Sequence, residues 1–358
     1  AADALCLSYS AIGYSGTRSN STKTTTQSYS FPLHSTTLQN QASTPTDGLP
    51  MVTLGTQKVG KRKAPSVVTL ALKNGITSID TAPTYNNEEQ IGVALQAGKM
   101  NTGDNSFVIM KVPKRATTPE QVRDEFEQSL QKLGGRVDLV LLHWPCDLIE
   151  MDKLEAVWKE MEQIVGRGKC RYLGVCNFSV EALKVLLPLC KDVRPIVNQV
   201  ERHPLLPQWE LLDFCTSQGI ILQAHTSLGG HGKEDLLQHP KILNIVKEQQ
   251  QQQQLQKNQQ VQNKDANVTT AAQVLWKWNL QHNVAIVSRC TTEEHIQEFS
   301  SLAKGNIEDL MPSQMKAIDS IGMDKKNQMR FVAPPFMYKA GAIYAWGDRA
   351  PTITRVNK

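Results

Sequence analysis

The sequence lacks several features that would assign it directly to a functional class. No run approaches the ~18 consecutive apolar residues that a membrane-spanning helix requires. No basic run is dense enough to indicate a nucleic-acid surface, although 39 Lys and Arg residues outnumber 34 Asp and Glu residues. Neither a G-x-G-x-x-G loop nor a Walker phosphate-binding loop is present. The sequence therefore predicts no membrane span and no nucleic-acid partner.

Cysteine is scarce and scattered. The seven cysteines stand at positions 6, 146, 170, 176, 190, 215 and 290, without a C-x-x-C pair or a zinc-ligand spacing. An odd number of scattered cysteines is typical of free thiols in a reducing compartment. We therefore predict free thiols and no metal site.

Three segments differ in composition from the rest of the chain. Residues 1–48 form a low-complexity arm, rich in Ser, Thr and Gln, which buries too little apolar surface to fold alone. Because this composition is typical of organelle transit segments, a plastid or another organelle is an alternative to the cytoplasm as the location. The glutamine-rich insertion at 248–264 indicates an expanded surface loop, and 311–358 form an extended C-terminal segment.

Between these segments, short apolar runs alternate with amphipathic stretches. Eight runs predict strands, at 51–54, 76–79, 107–110, 137–142, 172–175, 195–200, 219–224 and 284–287. Thr118 followed by Pro119 is a typical helix start, and the pattern predicts a helix over 118–133. Nearly continuous apolar strands that alternate with helices indicate a parallel sheet covered by helices. Eight such units over 49–310 match the ~250 residues of a (β/α)8 TIM barrel, with an open doubly wound sheet as the alternative.

In such a barrel the active site lies at the carboxyl ends of the strands, and polar residues occupy those positions here. Asp80 and Tyr85 follow the second run, Lys111 the third and His143 the fourth. Each has a structural alternative: a helix cap for Asp80, a solvated rim for Lys111 and a core position for His143. An acid beside a lysine holds it charged, and that charge lowers the pKa of a neighbouring phenol. Together the four residues therefore predict that Tyr85 is a proton donor.

The sequence resembles the aldo-keto reductases from about residue 49 to about residue 302. The similarity is carried by "SIDTAPTYNNEEQIGVAL" (78–95), "MKVP" (110–113), "LVLLHWP" (139–145), "GKCRYLGVCNFS" (168–179), "VNQVERHPLL" (197–206) and "HTSLGG" (225–230). The resemblance implies hydride transfer from a reduced nicotinamide to a small aldehyde or ketone. It implies that Tyr85 is the general acid, tuned by Lys111 and Asp80. It also implies that His143 orients the substrate carbonyl and that Trp144 lines the substrate pocket.

The resemblance further implies a cofactor site along the later strands. Its residues would be Cys176, Asn177, Gln199 and His225 at the nicotinamide, Thr226, Ser227, Leu228 and Gly229 near the pyrophosphate, and Arg289, Cys290, His295 and Glu298 at the adenosine end. Six positions depart from the usual family pattern. Near the nicotinamide, cysteine replaces serine at 176 and histidine replaces tyrosine at 225. At the adenosine end, arginine replaces lysine at 289, cysteine replaces serine or threonine at 290, histidine replaces a phosphate-binding arginine at 295, and phenylalanine replaces an adenine-contacting asparagine at 299. Arg289 keeps a positive charge, so NADPH is the predicted cofactor and NADH the alternative.

A non-enzymatic function is the second hypothesis. The altered adenosine end, the N-terminal arm and the unmatched tail at 331–358 suit a structural or regulatory subunit of a larger assembly. A protein partner would then contact the arm or the C-terminal segment. The complete set of four catalytic positions favours the enzyme, because a chain that had lost catalysis would be expected to lose members of that set.

Overall fold

Eight parallel strands close into a barrel in the computed structural model of the protein, which describes residues 30–31, 48–102, 106–230, 235–259, 269–332 and 334. The barrel strands are β3 (Val52–Gly55), β4 (Ser78–Asp80), β5 (Phe107–Val112), β6 (Leu139–Leu142), β7 (Tyr172–Cys176), β8 (Val197–Glu201), β9 (Ile221–His225) and β10 (Ala285–Ser288). They follow chain order around the barrel, and β10 pairs with β3 to close it. A short antiparallel pair, β1 (Ser30–Phe31) and β2 (Leu49–Pro50), precedes them. All eight predicted strands and the predicted (β/α)8 barrel are confirmed.

Helices surround the barrel. They are α1 (Ala64–Lys73), α2 (Glu88–Thr102), α3 (Pro119–Lys132), α4 (Cys146–Glu150), α5 (Leu154–Gly166), α6 (Val180–Leu186), α7 (Trp209–Ser217), α8 (Pro240–Gln259), α9 (Ala271–Gln281), α10 (Glu293–Ala303) and α11 (Pro312–Asp319). The predicted cap of α3 is present, since the Thr118 hydroxyl accepts a hydrogen bond from the backbone N–H of Gln121 at 3.4 Å. The main core lies between strands and helices, where Trp158 and Met161 are fully buried.

The glutamine-rich insertion departs from expectation. We expected a loop at 248–264, but α8 continues through the first twelve of these residues, and 260–264 lie outside the described residues. Glutamine is a good helix former, and the helix is already anchored by three buried side chains in its first turns, Ile242, Ile245 and Val246. Gln250 and Gln253 then donate to the carbonyl and the hydroxyl of Thr269, each at 2.9 Å. Tertiary anchoring therefore extends the helix into the glutamine run.

Most of the predictions made for the two ends of the chain fall outside the described residues. Residues 1–29, 32–47 and 335–358 lie outside the described residues, so the predictions about a transit segment, a location and a protein partner stay predictions. None of the described helices combines the length and apolar character that crossing a bilayer requires. The six described cysteines are all free thiols, as predicted.

Candidate active site

A buried ion pair lies at the carboxyl ends of β4 and β5. Lys111 Nζ donates to Asp80 Oδ1, and the two residues are 0% and 2% exposed. Neither the helix cap for Asp80 nor the solvated rim for Lys111 is therefore correct. Burial lowers the pKa of Lys111. The charge of Asp80 and the neighbouring Tyr85 raise this pKa by more than burial lowers it, so the pKa lies above its ordinary value. Lys111 is consequently held as a cation inside the barrel.

Tyr85 reaches this pair from a short 3-10 turn, Pro83–Tyr85, that follows β4. Lys111 Nζ donates to its hydroxyl oxygen at 3.2 Å, which leaves the hydroxyl hydrogen able to point elsewhere. Lys111 lowers the pKa of the phenol, as expected, but the effect of burial is larger. Burial raises the pKa of Tyr85 to about 12, and the opposing effect of Lys111 is smaller. Tyr85 therefore keeps its proton near neutral pH and can act as an acid.

His143 follows β6 and is half-buried at the barrel mouth, so the core alternative is wrong. Its ring meets that of Tyr85 edge-on, with 6.5 Å between centroids, and stacks on Trp144 at 5.9 Å. Burial, followed by the charge of Lys111, lowers its pKa well below the usual range. A neutral imidazole carries one N–H, which suits donation to a carbonyl oxygen.

A row of side-chain amides crosses the barrel interior beside the ion pair. Gln199 Nε2 donates to Asp80 Oδ2 at 2.8 Å and to Gln223 Oε1 at 2.9 Å. The parallel register sets this row, since Cys176, Gln199 and Gln223 lie opposite one another on β7, β8 and β9. The thiol of Cys176 lies 3.8 Å from Gln199 Oε1, a weak contact. Sequence reasoning missed Gln223, although a glutamine inside the apolar run at 219–224 was a visible signal.

Asn177 links this row to His143 and His225. Its backbone has a positive φ of 63°, a conformation that asparagine tolerates better than most residues. Its Nδ2 donates to the backbone carbonyl of His143 at 3.1 Å, and its Oδ1 lies 3.2 Å from His225 Nε2. Asn177 is therefore held from the ends of two strands, β6 and β9, that are not neighbours in the barrel.

The loop after β9 has the chemistry of a phosphate site. Ser227 is 2% exposed, and its hydroxyl has no hydrogen-bond partner. Gly229 has a positive φ of 75°, and its N–H closes a turn on the Thr226 carbonyl at 2.8 Å. Leu228 packs against both adjoining parts of the core. A buried, unpartnered hydroxyl on a tight turn fits a phosphate oxygen, so these residues fit the pyrophosphate of a dinucleotide.

At the predicted adenosine end, the side chains divide into two groups. Arg289 and His295 are exposed. Cys290 is buried in the main core, and Phe299 is fully buried against Trp276, with 4.7 Å between ring centroids. Glu298 accepts a hydrogen bond from the Thr270 hydroxyl, which caps α9. The structure thus leaves two basic side chains on the surface and assigns the neighbouring positions to packing.

The carboxylate of Glu201, the last residue of β8, anchors the start of the C-terminal tail. It is fully buried and accepts hydrogen bonds from the backbone N–H groups of Phe331 at 2.6 Å and Val332 at 2.9 Å. Two side chains also contact this carboxylate. His203 Nε2 lies 3.0 Å from Glu201 Oε1, and Arg330 Nη1 lies 3.7 Å from Glu201 Oε2. Sequence reasoning missed this anchor, because the tail matches no motif and lies about 130 residues from Glu201.

Comparison of the sequence with known proteins identifies a family and two similar relatives. The model of the Aldo/keto reductase family matches residues 48–322. The chain belongs to this family. It is 32% identical over 280 residues to a glyoxal reductase of Bacillus subtilis (strain 168), covering 78% of this chain and 91% of that one. It is 30% identical over 312 residues to a glycerol 2-dehydrogenase (NADP(+)) of Saccharomyces cerevisiae (strain ATCC 204508 / S288c), covering 80% and 91%.

Solved structures of aldo/keto reductases share the fold. The crystal structure of MGS-M4, an aldo-keto reductase from a deep-sea metagenome, superposes with a TM-score of 0.67 at 28% identity, covering 80% of this chain and 95% of that one. An aldo/keto reductase of Brucella melitensis gives a TM-score of 0.65 at 26% identity, covering 76% and 95%. The family comprises oxidoreductases, and this chain is an aldo/keto reductase of the (β/α)8 type.

The structure of this aldo/keto reductase brings together most of the residues predicted for one site. Asp80, Tyr85, Lys111 and His143 meet at the mouth, with Trp144 beside them. The predicted nicotinamide residues form one connected group through Gln199 and Asn177. The residues near 289–298 are spread along α10 and the connection that leads to it from β10, so geometry leaves their roles as predictions.

Proposed function

We propose that this protein reduces small aldehydes or ketones to alcohols with NADPH, and that Tyr85 is the general acid. One observation carries the proposal. Lys111, which is buried and paired with Asp80, donates a hydrogen bond to the hydroxyl oxygen of Tyr85, and the Tyr85 ring lies beside His143. This arrangement keeps a cation next to a protonated phenol at the barrel mouth. A phenol in such a position can protonate an oxygen on which negative charge develops.

The chain supplies positions for the cofactor at three places. Asn177 and Gln199 would hold the nicotinamide carboxamide, Ser227 with its turn would hold the pyrophosphate, and Arg289 would contact the 2′-phosphate. When bound, the reduced nicotinamide supplies the hydride. The yeast relative is named for NADP(+), which supports NADPH over NADH for this chain.

The proton follows a short route. His143 donates its N–H to the carbonyl oxygen and orients the substrate, while Tyr85 gives its proton to that oxygen as the alcohol forms. The phenolate left on Tyr85 is stabilised by Lys111, whose Nζ already lies 3.2 Å away. Because an alkoxide is a stronger base than a phenolate, this proton transfer is favourable even with the raised pKa of Tyr85.

The direct test follows NADPH oxidation by an aromatic aldehyde such as 4-nitrobenzaldehyde. Tyr85→Phe is expected to lower kcat by about 10²- to 10⁴-fold, because the proton donor is lost. Tyr172→Phe is a matched control, since Tyr172 begins β7 at the opposite end of the barrel. Equal wild-type and Tyr85→Phe rates would overturn the proposed function.

A further inference from the structure

Both ring nitrogens of His225, the last residue of β9, are engaged. Nδ1 lies 3.0 Å from Thr226 Oγ1, and Nε2 lies 3.2 Å from Asn177 Oδ1. The amide of Asn177 has one consistent orientation, because its Nδ2 faces the carbonyl oxygen of His143, which can only accept. Its Oδ1 must therefore receive a hydrogen from His225 Nε2.

The protonation state of His225 agrees with this assignment. Burial, together with the nearby Lys111, lowers its pKa to about 4, although Glu201 opposes the shift. The ring is therefore neutral near pH 7 and carries a single N–H. That hydrogen lies on Nε2, and Nδ1 accepts a hydrogen bond from the Thr226 hydroxyl.

We propose that His225 is a positioning residue, which acts through the hydrogen bond from its Nε2 to Asn177. The inference rests on the proposed function, because Asn177 would hold the nicotinamide and His143 the substrate carbonyl. The chain of bonds runs from Thr226 on one side of the site to the backbone of His143 on the other. It thus ties the cofactor side of the site to the substrate side.

Asn177 needs this support for two reasons. It is 7% exposed, so without His225 its Oδ1 would be a buried acceptor lacking a good partner. In addition, Asn177 follows the end of β7 and has a positive φ, so the strand ladder does not hold its backbone. A free Asn177 amide would rotate, and small misplacements at a reacting centre cost about tenfold to hundredfold in rate.

A pure stacking role for the His225 ring predicts the opposite pattern of variants. Stacking needs a flat ring and no N–H, whereas positioning needs a donor at the place of Nε2. His225→Phe keeps a ring and removes the donor. His225→Gln removes the ring and keeps an amide N–H about as far along the side chain as Nε2.

The experiment measures kcat, KM for the aldehyde and NADPH binding by tryptophan fluorescence in the full chain. His225→Phe is expected to lower kcat/KM by about tenfold to hundredfold, and His225→Gln is expected to recover most of that loss. His225→Phe should lower the thermal unfolding midpoint by a few degrees, because it leaves Asn177 Oδ1 as a buried acceptor without a donor. Retained activity in His225→Phe with loss in His225→Gln would overturn the inference in favour of stacking.

A double-mutant cycle with Asn177→Ala decides the case if glutamine cannot reach Asn177. If His225 acts through Asn177, adding His225→Phe to Asn177→Ala lowers kcat/KM no further. If the kcat/KM losses of the two single variants instead multiply in the double variant, the inference is overturned. A wild-type protein that oxidises no NADPH would instead refute the proposed function, and the same cycle would then be judged on NADPH binding alone.

Discussion

At the reacting end of the site, Asp80 and Lys111 are buried and bonded to each other, whereas at the adenosine end Arg289 and His295 are exposed. The first group is fixed by strands on several sides of the barrel. In the second group, Arg289 directly follows β10 and His295 lies on α10, next to side chains that belong to the core. Charges that are buried and held in place act strongly on a transition state, while exposed charges are weakened by solvent.

The comparison separates two tasks. The buried end carries the proposed chemistry, so substitutions there should change the rate of the hydride and proton transfer. The exposed end carries cofactor preference, so substitutions there should change binding by a modest factor. Four variants test this division, in order of decreasing expected effect.

Lys111→Met should have the largest effect. It leaves Asp80 as an unpaired buried carboxylate, which is expected to cost about 3–5 kcal/mol of unfolding free energy. It also removes the cation beside Tyr85, so kcat should fall by about 10²- to 10⁴-fold. Urea unfolding and NADPH oxidation measure the two losses, and the control is Lys184→Met, at an exposed position on α6. A variant with normal activity would show that the buried pair serves stability alone.

Phe299→Asn introduces the asparagine typical of the family at the adenosine end. Because Phe299 is fully buried against Trp276, the change should cost about 3–5 kcal/mol of stability. The NADPH dissociation constant should not improve. Calorimetry and fluorescence titration measure these outcomes, and tighter NADPH binding with unchanged stability would show that position 299 faces the cofactor.

His143→Ala should act mainly on the substrate. The side chain is half-buried at the mouth, so the unfolding free energy should fall by less than about 1 kcal/mol. Loss of the donor to the carbonyl oxygen should lower kcat/KM by about 10²-fold. Steady-state kinetics with thermal unfolding tests this, and a large loss of stability with full turnover would restore the core interpretation of His143.

Arg289→Ala should have the smallest effect. An exposed Arg289 that contacts the 2′-phosphate should contribute about tenfold to NADPH affinity, which is ~1.4 kcal/mol. NADH lacks that phosphate, so its affinity is the internal control and should not change. Equal losses for both cofactors, measured by tryptophan fluorescence, would remove Arg289 from cofactor discrimination.

Several site properties could not be predicted from the sequence, because they depend on distant partners. The pKa of Tyr85 is set mainly by burial, which the order of residues does not reveal, so the predicted lowering by Lys111 is outweighed and the net pKa is raised. Gln223 joins the site only because its strand lies beside β8 in the closed barrel. The glutamine run joins α8 because helix residues before it are anchored against the core.

The sequence by itself determined the eight strands, the barrel and the four residues at the proposed reacting centre. These features are readable because apolar runs of strand length and the polar residue that follows each run are local patterns. Only the tertiary structure decided which amides and carboxylates meet, as in the bonds of Gln199 to Asp80 and of Glu201 to the backbone of Phe331. Those pairs are more than 100 residues apart in the chain. Closure of the barrel brings Gln199 to Asp80, whereas the C-terminal tail, which lies outside the barrel strands, brings Phe331 to Glu201.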